Sequence, residues 1–142
     1  MSTDTVQVVK PIVEPQVREL QRNSRVVWFE IPVANMERAQ KFYETIFKTR
    51  LTPAEFGDER IAVFPYAAPS IGGCLIKAAG LKPGHGALPA LNADPFLDSV
   101  LDRVEAAGGS IVHPYTELPE DMGCFARIED TEGNLIGLHA MH

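Results

Sequence analysis

The sequence predicts an α+β fold made of two like halves. Two observations carry the prediction. Each half reads strand, helix and three strands over roughly 55 residues, and an order that repeats within a chain outweighs any single motif. Inside each half, apolar residues at every second position give way to apolar residues at spacings of three and four, the signatures of strand and helix. At 142 residues the chain is about one domain, long enough to bury a core without staples.

Residues 1–24, with Pro11 and Pro15, read as an N-terminal extension, and residues 25–142 as a single domain with modules at about 25–80 and 87–141. "RVVWFEIPV", 25–33, alternates: Val27, Phe29, Ile31 and Val33 on one face, Trp28, Glu30 and Pro32 on the other. Asn35 sits where an N-cap belongs. Met36, Ala39, Phe42, Tyr43, Ile46 and Phe47 then form one apolar helical stripe. Strands follow at about 50–56, 61–64 and 71–78, separated by "GDE" and "PYAAPS". After the linker 81–86 the order returns. Residues 87–93 read as a strand, and Asp94-Pro95 as the start of a helix carrying Leu97, Val100, Leu101, Val104 and Ala107. Gly108-Gly109 ends it. Residues 110–113 make a strand and 114–123 a loop. A strand at 124–128, the turn 130–134 and a last strand at 135–141 complete the half.

Composition excludes several classes. Apolar residues are 45% and charged residues 23%, an ordinary globular balance, and two cysteines are too few for a disulfide framework. The net charge of −6 argues against a nucleic-acid partner. The opening "MSTDTVQVVK" has no apolar core of a signal peptide. The longest uncharged stretch, 61–76, is too short and too broken by Pro and Gly to span a membrane. A cytoplasmic protein is expected.

"VVWFEIPVANMERAQKFYETIF", "RVEAAGGSIVHP" and "CFARIEDTEGNLIGL" resemble, in order and spacing, segments of the glyoxalase/bleomycin-resistance/extradiol-dioxygenase superfamily, the vicinal oxygen chelate proteins. The resemblance covers about residues 25–141. It implies two βαβββ modules whose eight strands curl into an open cup with helices on the outer face, and a homodimer. Metal-dependent members bind a divalent ion with His, Gln or Glu from four strands. The first such position precedes Phe42 by fourteen residues, which is Trp28, and the last follows Asn134 by three, which is Gly137. The internal repeat makes Ile76 the partner of Gly137, and the fourth position is Leu88 or Ala90. None of these side chains ligates a divalent metal, so no metal and no cofactor is expected.

What remains on the cup side is Glu30 and His139, each two residues from a vacated ligand position. They are candidates for a catalytic acid/base pair, weighed against two solvated groups or a structural ion pair. Trp28, Cys74, Ile76, Asn92 and Gly137 are candidates for lining a small-molecule site, with Trp28 and Gly137 expected to meet as an apolar slot. Cys74 reads equally as a buried small hydrophobe. His139 and His142 point to opposite faces of a strand, which argues against a shared metal, whereas on a helix the same spacing would allow one. His85 reads as exposed and His113 as structural. The loop 114–123, with Tyr115 and Met122, is either a lid or a plain surface connection. Parity leaves Arg127 unassigned to a face.

The function expected is small-molecule binding in the sheet cup without the superfamily's metal. A lyase or isomerase related to lactoylglutathione lyase, acting through Glu30 and His139, is a second reading. A drug-sequestering protein of the resistance type is a third.

Overall fold

The computed structural model describes residues 25–67 and 70–142. The expected extension 1–24 lies outside the described residues. The elements run β1 (Trp28–Pro32), α1 (Met36–Phe47), β2 (Thr52–Phe56), β3 (Glu59–Val63), β4 (Gly72–Lys77), β5 (Ala90–Asn92), α2 (Leu97–Val104), β6 (Ser110–Glu117), β7 (Cys124–Glu129) and β8 (Leu135–Ala140). This is the anticipated α+β order, strand, helix and three strands, twice over. The eight strands fall into two mixed sheets, β1-β4-β3-β2 and β5-β8-β7-β6. In each, the first and last strands of the module are parallel neighbours: β1 beside β4, β5 beside β8. Among the described residues no strand of one sheet pairs with the other, so the curl stays open.

One core holds both halves. Ile31 and Leu75 from the first sheet and Ala126, Ile128, Ile136 and Leu138 from the second join Phe42, Tyr43 and Ile46 of α1 and Leu97, Val100 and Val104 of α2 in a single buried cluster. Each helix packs on its own sheet, and the two helices touch. The alternation of β1 and β8 therefore sorts as expected: Ile31, Ile136 and Leu138 face the helices, whereas Trp28, Glu30, Leu135, Gly137 and His139 face away.

α1 begins as its sequence dictates. Asn35 is extended, and its side chain accepts the Arg38 N–H, satisfying one of the unpaired amides at the helix start. α2 departs from expectation. It starts at Leu97, without a side-chain cap, rather than at Asp94-Pro95. Asp94 is occupied elsewhere: its Oδ1 accepts the Met141 N–H at 2.8 Å. Two strand boundaries also differ. The 87–93 strand shortens to Ala90–Asn92, because Pro89 has no amide to donate. The segment 114–117, expected as loop, continues β6 to Glu117. β6 is an edge strand whose register with β7 slips between Ile111 and His113 and again between His113 and Thr116, and an irregular edge is where Pro114 is tolerated.

The turn 130–134 does more than reverse the chain. Asp130 and Asn134 are its buried polar residues, and both are fully bonded. Asp130 Oδ1 accepts the amides of Glu132 and Asn134, each at 2.8 Å, and Oδ2 accepts the buried Tyr43 hydroxyl at 2.7 Å. Asn134 Nδ2 donates to the Pro32 carbonyl at 2.8 Å, and its Oδ1 accepts the Gly84 amide. Glu132 Oε1 accepts the amides of Ala34 and Asn35, and Arg38 Nε donates to Oε2 at 2.7 Å. A hairpin of the second module thus ties the end of β1, the start of α1 and the linker of the first. Burial opposes ionisation of Glu132, but the bonds from Arg38, Asn35, Thr131 and Ala34 outweigh it and hold the carboxyl at about 2. Burial, with the Asp130 charge beside it, pushes the Tyr43 hydroxyl well above its ordinary range.

Candidate functional site

The faces turned away from the helices carry the residues that chemistry would need. On the first sheet the register places Trp28 beside Gly72, Glu30 beside Cys74 and Pro32 beside Ile76. Val63 and Ile61 extend the rows of Cys74 and Ile76 on β3. The result is an apolar face with carboxylates at its margins, Glu30 on β1 and Glu59 at the start of β3.

The aromatic pair in "WF" matches the glycine pair in "GGC". The Trp28 ring lies over Gly72 on the open face, and the Phe29 ring lies over Gly73 on the core face: a Cβ on Gly72 would stand 2.8 Å from the indole, and one on Gly73 would stand 2.3 Å from the phenyl ring. Tyr66, exposed, meets Trp28 edge to face at 5.7 Å between centroids. Two consecutive rings on a strand thus require two consecutive positions without side chains on its neighbour. Burial pushes the Cys74 thiol up to about 11, the nearby Glu30 carboxylate adding to it, so the sulfur is protonated at neutral pH and is no ready nucleophile.

On the second sheet, Ala90, Gly137 and Arg127 stand side by side across three strands, with Asn92, His139 and Phe125 in the next row. Arg127 therefore faces the open side, which parity alone left undecided. Its guanidinium lies 5.2 Å from the centroid of the Phe125 ring, and His113 stacks on that ring at 5.0 Å. His85 reaches Glu129 from the linker, Nε2 to Oε2 at 2.8 Å, rather than standing free.

The expected meeting of Trp28 and Gly137 does not occur within the chain, because the two lie in separate sheets. The neighbours of Gly137 are Ala90 and Pro89 on β5, the nearest 3.4 Å from where a Cβ would be. Glu30 and His139 are likewise not joined. His139 Nε2 donates to the Met122 carbonyl at 2.8 Å, and Glu30 makes no side-chain hydrogen bond among the described residues. Asn92 Oδ1 accepts the Asp94 amide, leaving its NH₂ on the open side. A groove of about 230 Å³ runs between β1 and the linker, lined by Glu30, Pro32, Lys82, Pro89, Asn134 and Leu135. It is smaller than the pockets that hold most drug-sized ligands.

The positions that resemble metal ligands now have their geometry. Ala90, not Leu88, is the register partner of Gly137, so the set is Trp28, Ile76, Ala90 and Gly137. An indole, two alkyl groups and a hydrogen offer a divalent ion no lone pair, and the residues present do not fit the group. Sequence reasoning missed Tyr66, which stands in a turn with no periodicity to mark it. It left the face of Arg127 open, which only the register reveals.

The model of the Glyoxalase/Bleomycin resistance protein/Dioxygenase superfamily matches residues 25–138. No curated protein matches the chain. Among solved structures, a glyoxalase I variant from Zea mays superposes with a TM-score of 0.61 at 21% identity, covering 80% of this chain and 45% of that one. This chain thus spans about half the length of the maize enzyme. An antibiotic-binding protein from Streptomyces sp. CB03234 superposes with a TM-score of 0.62 at 23% identity, covering 82% of this chain and 95% of that one. A glyoxalase/bleomycin resistance protein from the same organism gives 0.59 at 25% identity, with 79% and 96% covered.

Proposed function

The chain belongs to the glyoxalase/bleomycin resistance protein/dioxygenase superfamily, and from that premise we propose that it binds a small organic molecule on the open faces of its sheets, without the superfamily's divalent metal. One observation carries the reading: where a metal site needs converging donors, this chain presents Trp28 over Gly72, beside Tyr66 and an apolar β-face. A half-buried indole next to an exposed phenol is a stacking surface for a planar or aliphatic ligand. The antibiotic-binding protein from Streptomyces shares this scaffold, so a sequestering role is within its reach.

Each sheet supplies only half of an enclosure. A second copy, turning its second sheet toward the first sheet of its neighbour, would complete it, and two-fold dimers are the commonest closed assembly. We therefore assign a homodimer, and a cytoplasmic place. Among the described residues no helix is long and apolar enough to cross a membrane. The acid/base reading has less support, since His139 is engaged by a carbonyl and Glu30 stands in the other sheet.

Native mass spectrometry of freshly purified protein tests the reading directly. The expected result is a dimer without stoichiometric metal, with or without a retained organic ligand. Because Trp28 is the sole tryptophan, a screen of aromatic and short aliphatic acids can be read by its emission. Stoichiometric zinc, nickel or iron that disappears on substitution of Glu30 or His139 would overturn the metal-free assignment. Absence of any emission-changing ligand, together with no retained one, would overturn the binding assignment.

A further inference from the structure

One aromatic pair differs from the others in lying at the surface. The pairs Phe42–Tyr43 and Tyr43–Phe64 belong to the core or pack against it. Trp28 is half-buried and Tyr66 is 56% exposed, on the face of the first sheet turned away from the helices. Their rings stand at 75° to one another with centroids 5.7 Å apart, the two walls of a corner. Both walls rest on Gly72, where a Cβ would stand 2.7 Å from the Tyr66 ring and 2.8 Å from the indole. Gly72 is buried beneath them, so whatever enters the corner meets the rings and not the strand.

The third side is a carboxylate. Glu30 follows Trp28 by two residues on the same face of β1, roughly 7 Å along the strand, and it is exposed. The ion pairs among the described residues are Arg38–Glu132, Arg60–Glu37 and His85–Glu129, and none of them engages Glu30. Lys82 lines the groove on the linker side together with Glu30 but is not paired with it. The charge is felt across the face. Burial pushes the Cys74 thiol up, the Glu30 carboxylate adds to that, and Glu59 contributes from the start of β3. The net charge of the chain, −6, has the same sign.

Exposed rings and an acid on one face select a cation. The face of an aromatic ring attracts a cation within about 6 Å of its centre, and indole does so most strongly. A methylated ammonium suits such a place better than a bare one. Its methyl groups shed water readily and press on the rings, whereas a bare ammonium is strongly hydrated. We infer that the corner of Trp28 and Tyr66 binds a small molecule bearing a methylated ammonium group, seated on the rings with its charge toward Glu30. The inference rests on the reading that the open faces bind a small organic molecule, and it names the chemical class.

The test uses the intact protein with choline and with dimethylbutanol, the uncharged molecule of the same shape in which carbon replaces nitrogen. Both are titrated by calorimetry and by the emission of Trp28, the sole tryptophan. Choline should change the emission and bind at least about tenfold tighter, the size expected of rings and carboxylate together. Glu30→Gln should remove most of that preference while leaving the affinity for dimethylbutanol unchanged. Tyr66→Leu should weaken choline binding, and Tyr66→Phe should keep it, because the ring and not the hydroxyl makes the wall. Equal affinities for the two probes, or a preference unchanged by Glu30→Gln or by Tyr66→Leu in a folded variant, would overturn the inference while leaving small-molecule binding in place. Binding by neither probe would exclude methylated ammonium as the class, and the search for a retained ligand then decides small-molecule binding separately. Potassium chloride displacing choline fully at equal concentration would show a plain counter-ion at Glu30 and would also overturn the inference.

Discussion

Glycines at 73 and 137 look alike in sequence, each inside a strand, yet their surroundings set opposite tolerances. A methyl group on Gly73 would enter the Phe29 ring, which is itself wedged against Phe64. Gly73→Ala should therefore cost about 1–3 kcal/mol, the usual range for overpacking a core. A methyl on Gly137 meets nothing nearer than 3.4 Å, so Gly137→Ala should leave the denaturation midpoint within about 0.5 kcal/mol of the parent. Urea unfolding of both variants checks the contrast, and equal losses would refute it. Tyr43 offers a second measurement. Its hydroxyl donates to buried Asp130, and Tyr43→Phe should cost about 1–2 kcal/mol by leaving a carboxylate oxygen short of a donor. The raised pKa of Tyr43 gives a sign as well. Stability from the neutral hydroxyl is complete below the ordinary tyrosine range and is lost as pH rises through the higher folded value. The Phe variant should lack that alkaline loss.

Between elements, the carboxylate of Glu132 acts as a cap supplied from outside the helix it caps. The first turn of α1 receives Asn35 from its own chain neighbour and Glu132 from the far hairpin. A negative charge at a helix N-terminus is favoured by the unpaired amides there. Because the folded carboxyl is depressed to about 2, its contribution is present above the unfolded value near 4.5 and is lost as pH falls between the two. At about 1.4 kcal/mol per pH unit, that difference corresponds to at most roughly 3 kcal/mol at neutral pH, less for the solvent screening of a partly exposed pair. Glu132→Gln should lower neutral stability and flatten the acid limb of a stability profile measured from pH 7 to pH 3. A parallel offset with an unchanged acid limb would assign the pH dependence elsewhere. Asn35→Ala should cost about 1 kcal/mol at any pH in that window. The Asn35 cap was legible, since an Asn before an apolar helical stripe has one common use. The Glu132 cap was not, because "DTEGN" reads only as a turn until the fold brings residue 132 to residue 35.

For the molecule as a whole, the repeat order and the strand faces could be read because strand and helix periods differ and the core selects one face of each. The site could be read only in part. Sequence spacing places Trp28, Ile76 and Gly137 at like positions in their modules, but spacing says nothing about whether the sheets close on each other within one chain. They do not, and the expected slot between Trp28 and Gly137 is absent from the single chain. The assignment of a homodimer makes this measurable: sedimentation at micromolar concentration should give twice the chain mass, and Trp28 emission should shift to the red on dilution into monomer. A single-chain mass at that concentration would count against the shared enclosure. The turn 130–134 carries one more consequence. The stretch between β3 and β4 in the first half, "PYAAPS", has no acid to match Asp130 or Glu132. The halves repeat in order but not in dependence: the second supplies the clasp and the first only receives it. If the gene were split in the linker 81–86 and the fragments made separately, the second should keep its own turn intact, whereas the first would leave the start of α1 without its borrowed carboxylate. The chain repeats one pattern of elements, and a handful of polar atoms makes it a chain that does not divide evenly.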